Sequence, residues 1–300
     1  MPIKLFAGQV FATLATRHRF GKGEHYDAAP QATAGSASAY FALLGLLLVL
    51  GSPARAQQSN EALAKAAQNP VANLISVPFQ DNINFNVGPQ EKTQNVLNIQ
   101  PVIPVSLGPD WNLITRTIVP VISQPEFLRG EGRTNGLGDI QFTAFLSPAK
   151  AKGLVWGAGP IVQLPSNTDK VLGNDRWGLG PSAVALRIQG RWVYGALANN
   201  VWSVSSSNHD PSYNNFLLQP FINYNFSDGL YVSTAPVITA DWKANSNDRW
   251  TVPLGGGVGK IVRFGKLPVN FQTQAFYNVE KPQNGADWTL RLQAQLMFPK

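Results

Sequence analysis

The stretch NVLNIQPVIPVSL (95–107) decides the fold, because its apolar and polar residues alternate one by one. Every odd position from Leu97 to Leu107 is apolar, whereas the even positions include Asn98, Gln100 and Ser106. A period of two places successive side chains on opposite faces of an extended chain. The stretch is therefore predicted to be a β-strand with one apolar face.

The same alternation occurs in four further stretches, at 139–146, 156–164, 269–278 and 289–298. These runs are longer than the usual strand of about 5 or 6 residues. Their length matches a tilted membrane-spanning strand of about 9 to 11 residues.

Turn-forming residues divide the chain into twelve predicted strands, at 80–87, 95–107, 111–123, 138–147, 154–164, 177–188, 191–204, 214–226, 230–241, 249–263, 267–279 and 287–299. Short and long connectors alternate between them, as they do between the periplasmic turns and extracellular loops of outer-membrane barrels. The predicted fold is all-β: an antiparallel up-and-down transmembrane barrel with both termini in the periplasm.

Tryptophan placement supports this prediction independently. All eight tryptophans lie near predicted strand ends, which is where the two aromatic girdles of a membrane barrel lie. A general preference of tryptophan for sheet edges is the alternative, but it does not explain why the strand centres contain none.

The N-terminal region is typical of an export signal. Residues 39–51 (AYFALLGLLLVLG) are too short for a transmembrane helix but suit the apolar region of a signal peptide. The Ala54-Arg55-Ala56 triplet predicts cleavage after Ala56. The expected organisation is a signal at 1–56 with an extended n-region, an N-terminal periplasmic segment at 57–78 and a barrel at 79–300. A start codon placed too early, and a buried core helix at 39–51, remain as alternatives.

Composition and charge exclude several classes of protein. The chain has no cysteine, which excludes disulfide scaffolds and thiolate chemistry. Loss of residues 1–56 removes five basic and two acidic residues and lowers the formal net charge from +7 to +4. These charges form no basic cluster, so no nucleic-acid partner is expected.

Residues 60–68 (NEALAKAAQ) have helix-forming composition, with Ser59 or Asn60 as an N-cap and Pro70 after the end. This helix could enter the lumen as a plug or lie outside the barrel in the periplasm. The sequence leaves both possibilities open.

In a membrane barrel the apolar face of each strand meets lipid and the polar face meets the lumen. The predicted lumen-lining residues are Asn98, Gln100, Arg116, Asp139, Gln141, Gln163, Gln219, Asn223, Asn270, Gln272, Gln274, Arg291, Gln293 and Gln295. Twelve strands lie between the filled interior of about eight strands and the open pore of about 16. A narrow, amide-rich and sparsely charged bore is expected. The faces of strands 177–188 and 191–204 are ambiguous, because these strands alternate poorly.

Arg116 and Arg291 are predicted to face the lumen, because arginine on the lipid face costs about 2 to 4 kcal/mol at the midplane. They could select anionic or polar solutes, or they could brace the wall through an ion pair, for instance with Asp139. The ion pair is the favoured interpretation, since the sequence contains no ladder of charges.

Nothing in the chain indicates an enzyme, a cofactor or a metal site. His209 is the one histidine that follows the predicted cleavage site, and it lies in a polar loop beside serines, where solvation is more common than catalysis. The aspartates of the predicted loops lack the ordered spacing of a calcium site.

The stretches at 63–80, 95–107, 110–125, 136–148 and 218–229 resemble a family of Gram-negative outer-membrane transporters. The family is named after the meta pathway of phenol degradation, and some members carry the label neuromedin U. The resemblance implies a barrel in the cell outer membrane, with membrane lipid, small and aromatic solutes and the barrel-assembly machinery as partners. The barrel-assembly machinery recognises an aromatic residue at the end of the last strand. In this sequence Phe298 is followed by Pro299 and Lys300, which departs from that pattern.

Two functions follow as hypotheses. The first is a narrow channel for passive passage of small neutral or aromatic solutes. The second is a closed structural or adhesive barrel that acts through its extracellular loops.

Overall fold

The computed structural model describes residues 59–151, 153–204 and 212–299. The predicted signal peptide and His209 lie outside the described residues. Within the described part, no helix combines the length and apolar character needed to cross a membrane.

In the described residues, one α-helix, α1 (Asn60–Ala67), precedes fifteen strands. The strands are β1 (Ile75–Val87), β2 (Lys92–Ile99), β3 (Val102–Ser106), β4 (Trp111–Gln124), β5 (Thr134–Leu137), β6 (Ile140–Pro148), β7 (Leu154–Leu164), β8 (Gly178–Gln189), β9 (Trp192–Ser203), β10 (Asn214–Asn225), β11 (Leu230–Thr234), β12 (Ile238–Asp241), β13 (Trp250–Phe264), β14 (Leu267–Glu280) and β15 (Trp288–Phe298). Two 3₁₀ helices lie in the loops, at Lys170–Leu172 and Ser246–Asp248.

The strands form a closed antiparallel barrel, because β1 pairs with β15 from Ile75↔Phe298 to Phe85↔Trp288. Three of the wall positions are each built from two short strands: β2 with β3, β5 with β6, and β11 with β12. The wall therefore has twelve strand positions, and the predicted all-β barrel is confirmed.

The first strand begins at Ile75, earlier than the predicted start at residue 80. Ile75 and Val77 continue the alternation and pair with Phe298 and Leu296, so residues 75–78 are part of the wall and not of the N-terminal segment. The predicted long connector at 88–94 is also shorter, since β2 begins at Lys92.

The wall is interrupted at residues 235–237, which pair with neither neighbouring strand. The register on both sides of the gap places Pro236 opposite Pro220, so neither residue has an N–H to donate across it. The break between β2 and β3 is different. There the amide of Gln100 donates to the Pro78 carbonyl and the amide of Thr117 donates to the Pro101 carbonyl.

The tryptophans lie at or beside the strand ends, as the sequence predicts. Trp111 and Trp156 form an edge-to-face pair at the short-turn end, with ring centroids 6.1 Å apart. Trp242 and Trp250 form another at the long-loop end, at 5.5 Å. Large apolar side chains are exposed on the outward face between these ends, including Phe271, Ile222 and Leu292.

The interior of the barrel is less uniformly polar than the sequence suggested. Near the short-turn end it contains an apolar cluster of Val71, Ile114, Phe145, Val184, Leu186, Val193, Leu197 and Phe221. Even-numbered residues of β8 from Gly178 to Leu186 are buried, which settles the face that poor alternation left ambiguous. Alternation failed in β8 and β9 because both of their faces are largely apolar.

Candidate functional site: the barrel lumen

A cavity of about 160 Å³ lies inside the barrel. It is lined by the following predicted residues: Gln100, Arg116, Gln219, Asn223, Asn270, Gln272, Gln274, Arg291, Gln293 and Gln295. They come from β4, β10, β14, β15 and the break between β2 and β3, where alternation turns every second side chain inward.

A second cavity of about 60 Å³ adjoins the first, since Gln80, Gln100, Arg116, Leu197 and Gln219 line both. Asn98 and Gln141, also predicted from the sequence, line this smaller cavity. Together the two cavities form a volume inside the barrel that is lined largely by amide side chains.

Asp139 and Gln163 are buried but line neither cavity. Gln163 Nε2 donates to Asp139 Oδ2 at 3.0 Å, and the backbone amide of Asn174 donates to the same oxygen at 2.7 Å. The loop at 165–177 therefore covers Asp139. Sequence alternation could assign the inward face but could not show that a loop fills the space there.

This loop also narrows the long-loop end of the barrel. Its 3₁₀ helix buries Leu172 against Val96 and Ile122, which are inward-facing residues of β2 and β4. The hydroxyl of Thr168 accepts a hydrogen bond from the Leu137 amide at 3.0 Å and fastens the loop to β5. A mainly polar loop thus enters the mouth with Leu172 buried and Val171 packed beside it.

The N-terminal segment occupies the short-turn end. Leu63 and Ala64 of α1 are buried with Tyr231, Ile261 and Met297 on one side of the barrel. Val71 packs into the apolar cluster on the other side, and residues between them, including Ala67 and Pro70, line the larger cavity. The segment therefore crosses the mouth.

Polar contacts fix both ends of α1. Ser59 caps the helix by accepting a hydrogen bond from the Ala62 amide at 3.1 Å. Arg263 Nε donates to Asn60 Oδ1 at 2.9 Å, and the Gln68 and Asn225 amides exchange hydrogen bonds of 2.8 and 3.0 Å. These contacts attach both helix ends to wall strands.

The favoured ion pair of Arg116 or Arg291 with Asp139 is wrong. Arg116 donates to the amide oxygen of Gln100. Arg291 Nε donates to Asn82 Oδ1, and its Nη1 donates to the Ala235 carbonyl, each at 3.0 Å. No ion pair found in the described part of the chain includes either arginine. Both guanidinium groups are held by neutral oxygens, because amide side chains surround them.

The structure adds inward-facing polar residues that the sequence analysis missed. Thr289 donates to Asn84, Asn84 donates to Gln94, and Gln94 donates to Gln124, at 2.7, 2.8 and 2.6 Å. This chain of hydrogen bonds runs across β15, β1, β2 and β4. Asn82 and Asn84 of β1 alternate with Ile83 and Phe85, and this pattern would have revealed part of the set.

An ion pair orders the loop that connects β4 and β5. Lys92 pairs with Glu126, whose Oε2 also accepts from the amides of Gly130 and Gly132 at 3.1 and 3.0 Å. The hydrogen bond from Lys92, followed by those from Gly132 and Gly130, lowers the pKa of Glu126. The Glu126 carboxylate therefore ties the 125–133 loop to β2.

No protein-family model and no curated protein matches the sequence. The barrel is similar to the crystal structure of an outer-membrane channel from Pseudomonas putida F1, with a TM-score of 0.59 and 18% identity over 77% of this chain and 97% of that one. At this identity the likeness shows a shared fold.

Lower similarity links the chain to two other barrels. Outer membrane phospholipase A from Escherichia coli has a TM-score of 0.41 and 12% identity, over 81% of this chain and 99% of that one. LpxR from Salmonella typhimurium has a TM-score of 0.41 and 8% identity, over 74% and 99%. Membership of the phenol-pathway family stays a prediction. Within the described residues, no three acidic or histidine side chains are grouped to hold a metal ion.

Proposed function

We propose that the protein is an outer-membrane channel for passive passage of small neutral or aromatic solutes. The observation that carries this proposal is a polar cavity enclosed by a barrel whose outward face is apolar and edged with tryptophan. An apolar outer band with aromatic girdles suits a bilayer, and a polar interior suits a solute path. The export signal with cleavage after Ala56, and insertion by the barrel-assembly machinery, belong to the same proposal.

The two narrowed mouths define how such a channel would work. The N-terminal segment closes the short-turn end through Leu63 and Val71, and the 165–177 loop narrows the other end through Leu172. A solute must pass both obstacles. The bore is therefore restrictive, and movement of the N-terminal segment is the proposed step that widens it.

Single-channel recording in planar bilayers tests the proposal. Three refolded proteins are compared: the chain that begins at residue 57, a variant that lacks residues 57–72, and Glu61→Gln. The deletion ends before β1 and so leaves the wall intact. Glu61→Gln is the matched control, because it removes a partly exposed helix ion pair with Lys65 without touching Leu63 or Val71.

The proposal predicts small openings in the first protein, larger openings in the deletion variant and no change in Glu61→Gln. Heat-modifiable migration in gels checks that each protein is folded. Folded barrels that pass no current in any of the three forms would contradict the channel.

A closed structural or adhesive barrel is the second candidate. The obstruction of both mouths favours it, because a barrel filled at each end needs no transport function to explain its shape. This candidate predicts that the deletion variant passes no current and that the barrel binds a partner through its long loops.

A further inference from the structure

The larger cavity contains two positive charges and no negative one. Arg116 and Arg291 are the only charged side chains among its described lining residues. The smaller cavity is lined by Arg116 and likewise by no carboxylate. The enclosed volume is therefore basic, although the wall around it is made mainly of neutral amides.

In the described part of the chain, no carboxylate forms an ion pair with either arginine. The contacts of Arg116 and Arg291 are to the oxygens of Gln100, Asn82, Ala235 and, at 3.5 Å, Gln274. Arginine keeps its charge in proteins, and its planar fork matches a carboxylate. Charges act more strongly in an enclosed space of low dielectric than in water. These two side chains would attract an anion that enters the cavity.

Apolar side chains also line this volume. Leu197 of β9 and Phe221 of β10 line the larger cavity, where β10 also contributes Gln219 and Asn223. Leu217 and Val237 line the smaller cavity. The cavity thus contains cationic and apolar side chains together, among neutral amides.

We propose that this cavity binds amphipathic organic anions, in which a carboxylate is attached to an aromatic ring or hydrocarbon chain. The carboxylate pairs with Arg116 or Arg291, and the apolar group lies against Phe221 and Leu197. This inference rests on the proposed channel function and narrows its solutes to those that carry both groups. A neutral aromatic molecule contacts only the apolar side chains favourably, and a small hydrophilic anion pairs only with the arginines.

Three probe molecules separate the contribution of the carboxylate to binding from that of the apolar group. Benzoate has both groups, benzamide keeps the ring without the charge, and acetate keeps the charge without the ring. Binding of each is measured by isothermal titration calorimetry on the refolded chain in detergent. Benzoate is expected to bind at least about tenfold more tightly than either of the other two, the ratio that 1.4 kcal/mol supplies.

Arg116→Gln and Arg291→Gln test the contribution of the two cavity charges to binding, and Arg187→Gln is the matched control. Arg187 lies on the exposed outward face of β8, so its substitution removes the same charge from the other side of the wall. The first two variants are expected to lose most of the preference for benzoate over benzamide, whereas Arg187→Gln retains it. Phe221→Ser is expected to lose the preference for benzoate over acetate.

Reversal potentials in a KCl gradient supply an independent readout. The unmodified channel is expected to prefer chloride over potassium, and the Arg116→Gln/Arg291→Gln double variant is expected to lose this preference. Equal binding of benzoate, benzamide and acetate would overturn the inference and leave the channel standing. Folded protein that binds benzoate but passes no current would contradict the channel while the binding site stands.

Discussion

Arg291 on β15 reaches past β14 and β13 to donate a hydrogen bond of 3.0 Å to the carbonyl of Ala235. Ala235 begins the three-residue gap between β11 and β12, where the backbone pairs with neither neighbouring strand. The guanidinium therefore satisfies a backbone oxygen that the wall leaves unpaired. Its position over the Phe276 ring, 4.9 Å from the centroid, holds the side chain in this place.

Replacement of Arg291 by methionine should destabilise the barrel. The substitution keeps a long apolar side chain but leaves the oxygens of Ala235 and Asn82 without this donor. An unsatisfied buried acceptor costs about 1 to 3 kcal/mol. Urea unfolding in lipid vesicles measures the loss, with Arg187→Met as the control for an exposed arginine. Equal stability of the two variants would show that Arg291 does not support the gap.

Leu63→Ala should loosen the N-terminal segment from the wall. Leu63 is fully buried against Tyr231, Ile261 and Met297, and deletion of such a side chain costs about 2 to 5 kcal/mol. The fraction of time that single channels spend open should rise by at least about tenfold, which 1.4 kcal/mol accounts for. Glu61→Gln serves again as the control. An unchanged open fraction would mean that the segment does not limit conduction.

The 125–133 loop should become mobile in acid. The folded pKa of Glu126 lies below its unfolded value of about 4.3. Its stabilising effect is therefore complete above that value and is lost as the pH falls through the folded pKa. A fluorophore on Arg129→Cys, in a chain that has no other cysteine, reports loop motion by anisotropy.

In the Glu126→Gln background the same loop should be mobile at neutral pH and show no step in acid. This variant retains an oxygen acceptor but removes the charge that Lys92 contacts. A step of equal size in both proteins would assign the transition to another group.

Two positions on β14 that face opposite sides of the wall should tolerate a new arginine very differently. Ala275 is exposed on the outward face, whereas Gln272 lines the larger cavity. Ala275→Arg should cost about 2 to 4 kcal/mol in lipid vesicles, because the charge meets hydrocarbon, and Gln272→Arg should cost clearly less. Equal costs would argue against a lipid-facing outer surface.

Much of the barrel could be predicted from the sequence, because alternation and turn residues are local signals. They locate all twelve strand positions and assign inward faces to residues such as Gln272 and Arg291. The prediction places Ile75–Pro78 in the N-terminal segment although these residues continue the alternation, and the local signals fail in β8 and β9, where small and apolar residues occupy both faces.

The contacts inside the barrel could not be predicted, because they join residues far apart in the chain. Nothing local to Asp139 indicates that Asn174 will cover it, or that Leu172 will enter the mouth between Val96 and Ile122. The neutral partners of Arg116 and Arg291 depend on the register of strands that only the closed barrel defines.

Charged thiol reagents on Gln272→Cys test the central claim, that solutes pass through the lumen, most directly. Because the natural chain has no cysteine, a methanethiosulfonate reagent modifies only the introduced residue. During single-channel recording, modification at Gln272→Cys should reduce the current in one step per channel, and Ala275→Cys on the outward face should show no change. Currents that are unaffected at Gln272→Cys, with the modification verified by mass spectrometry, would contradict a conduction path through this cavity.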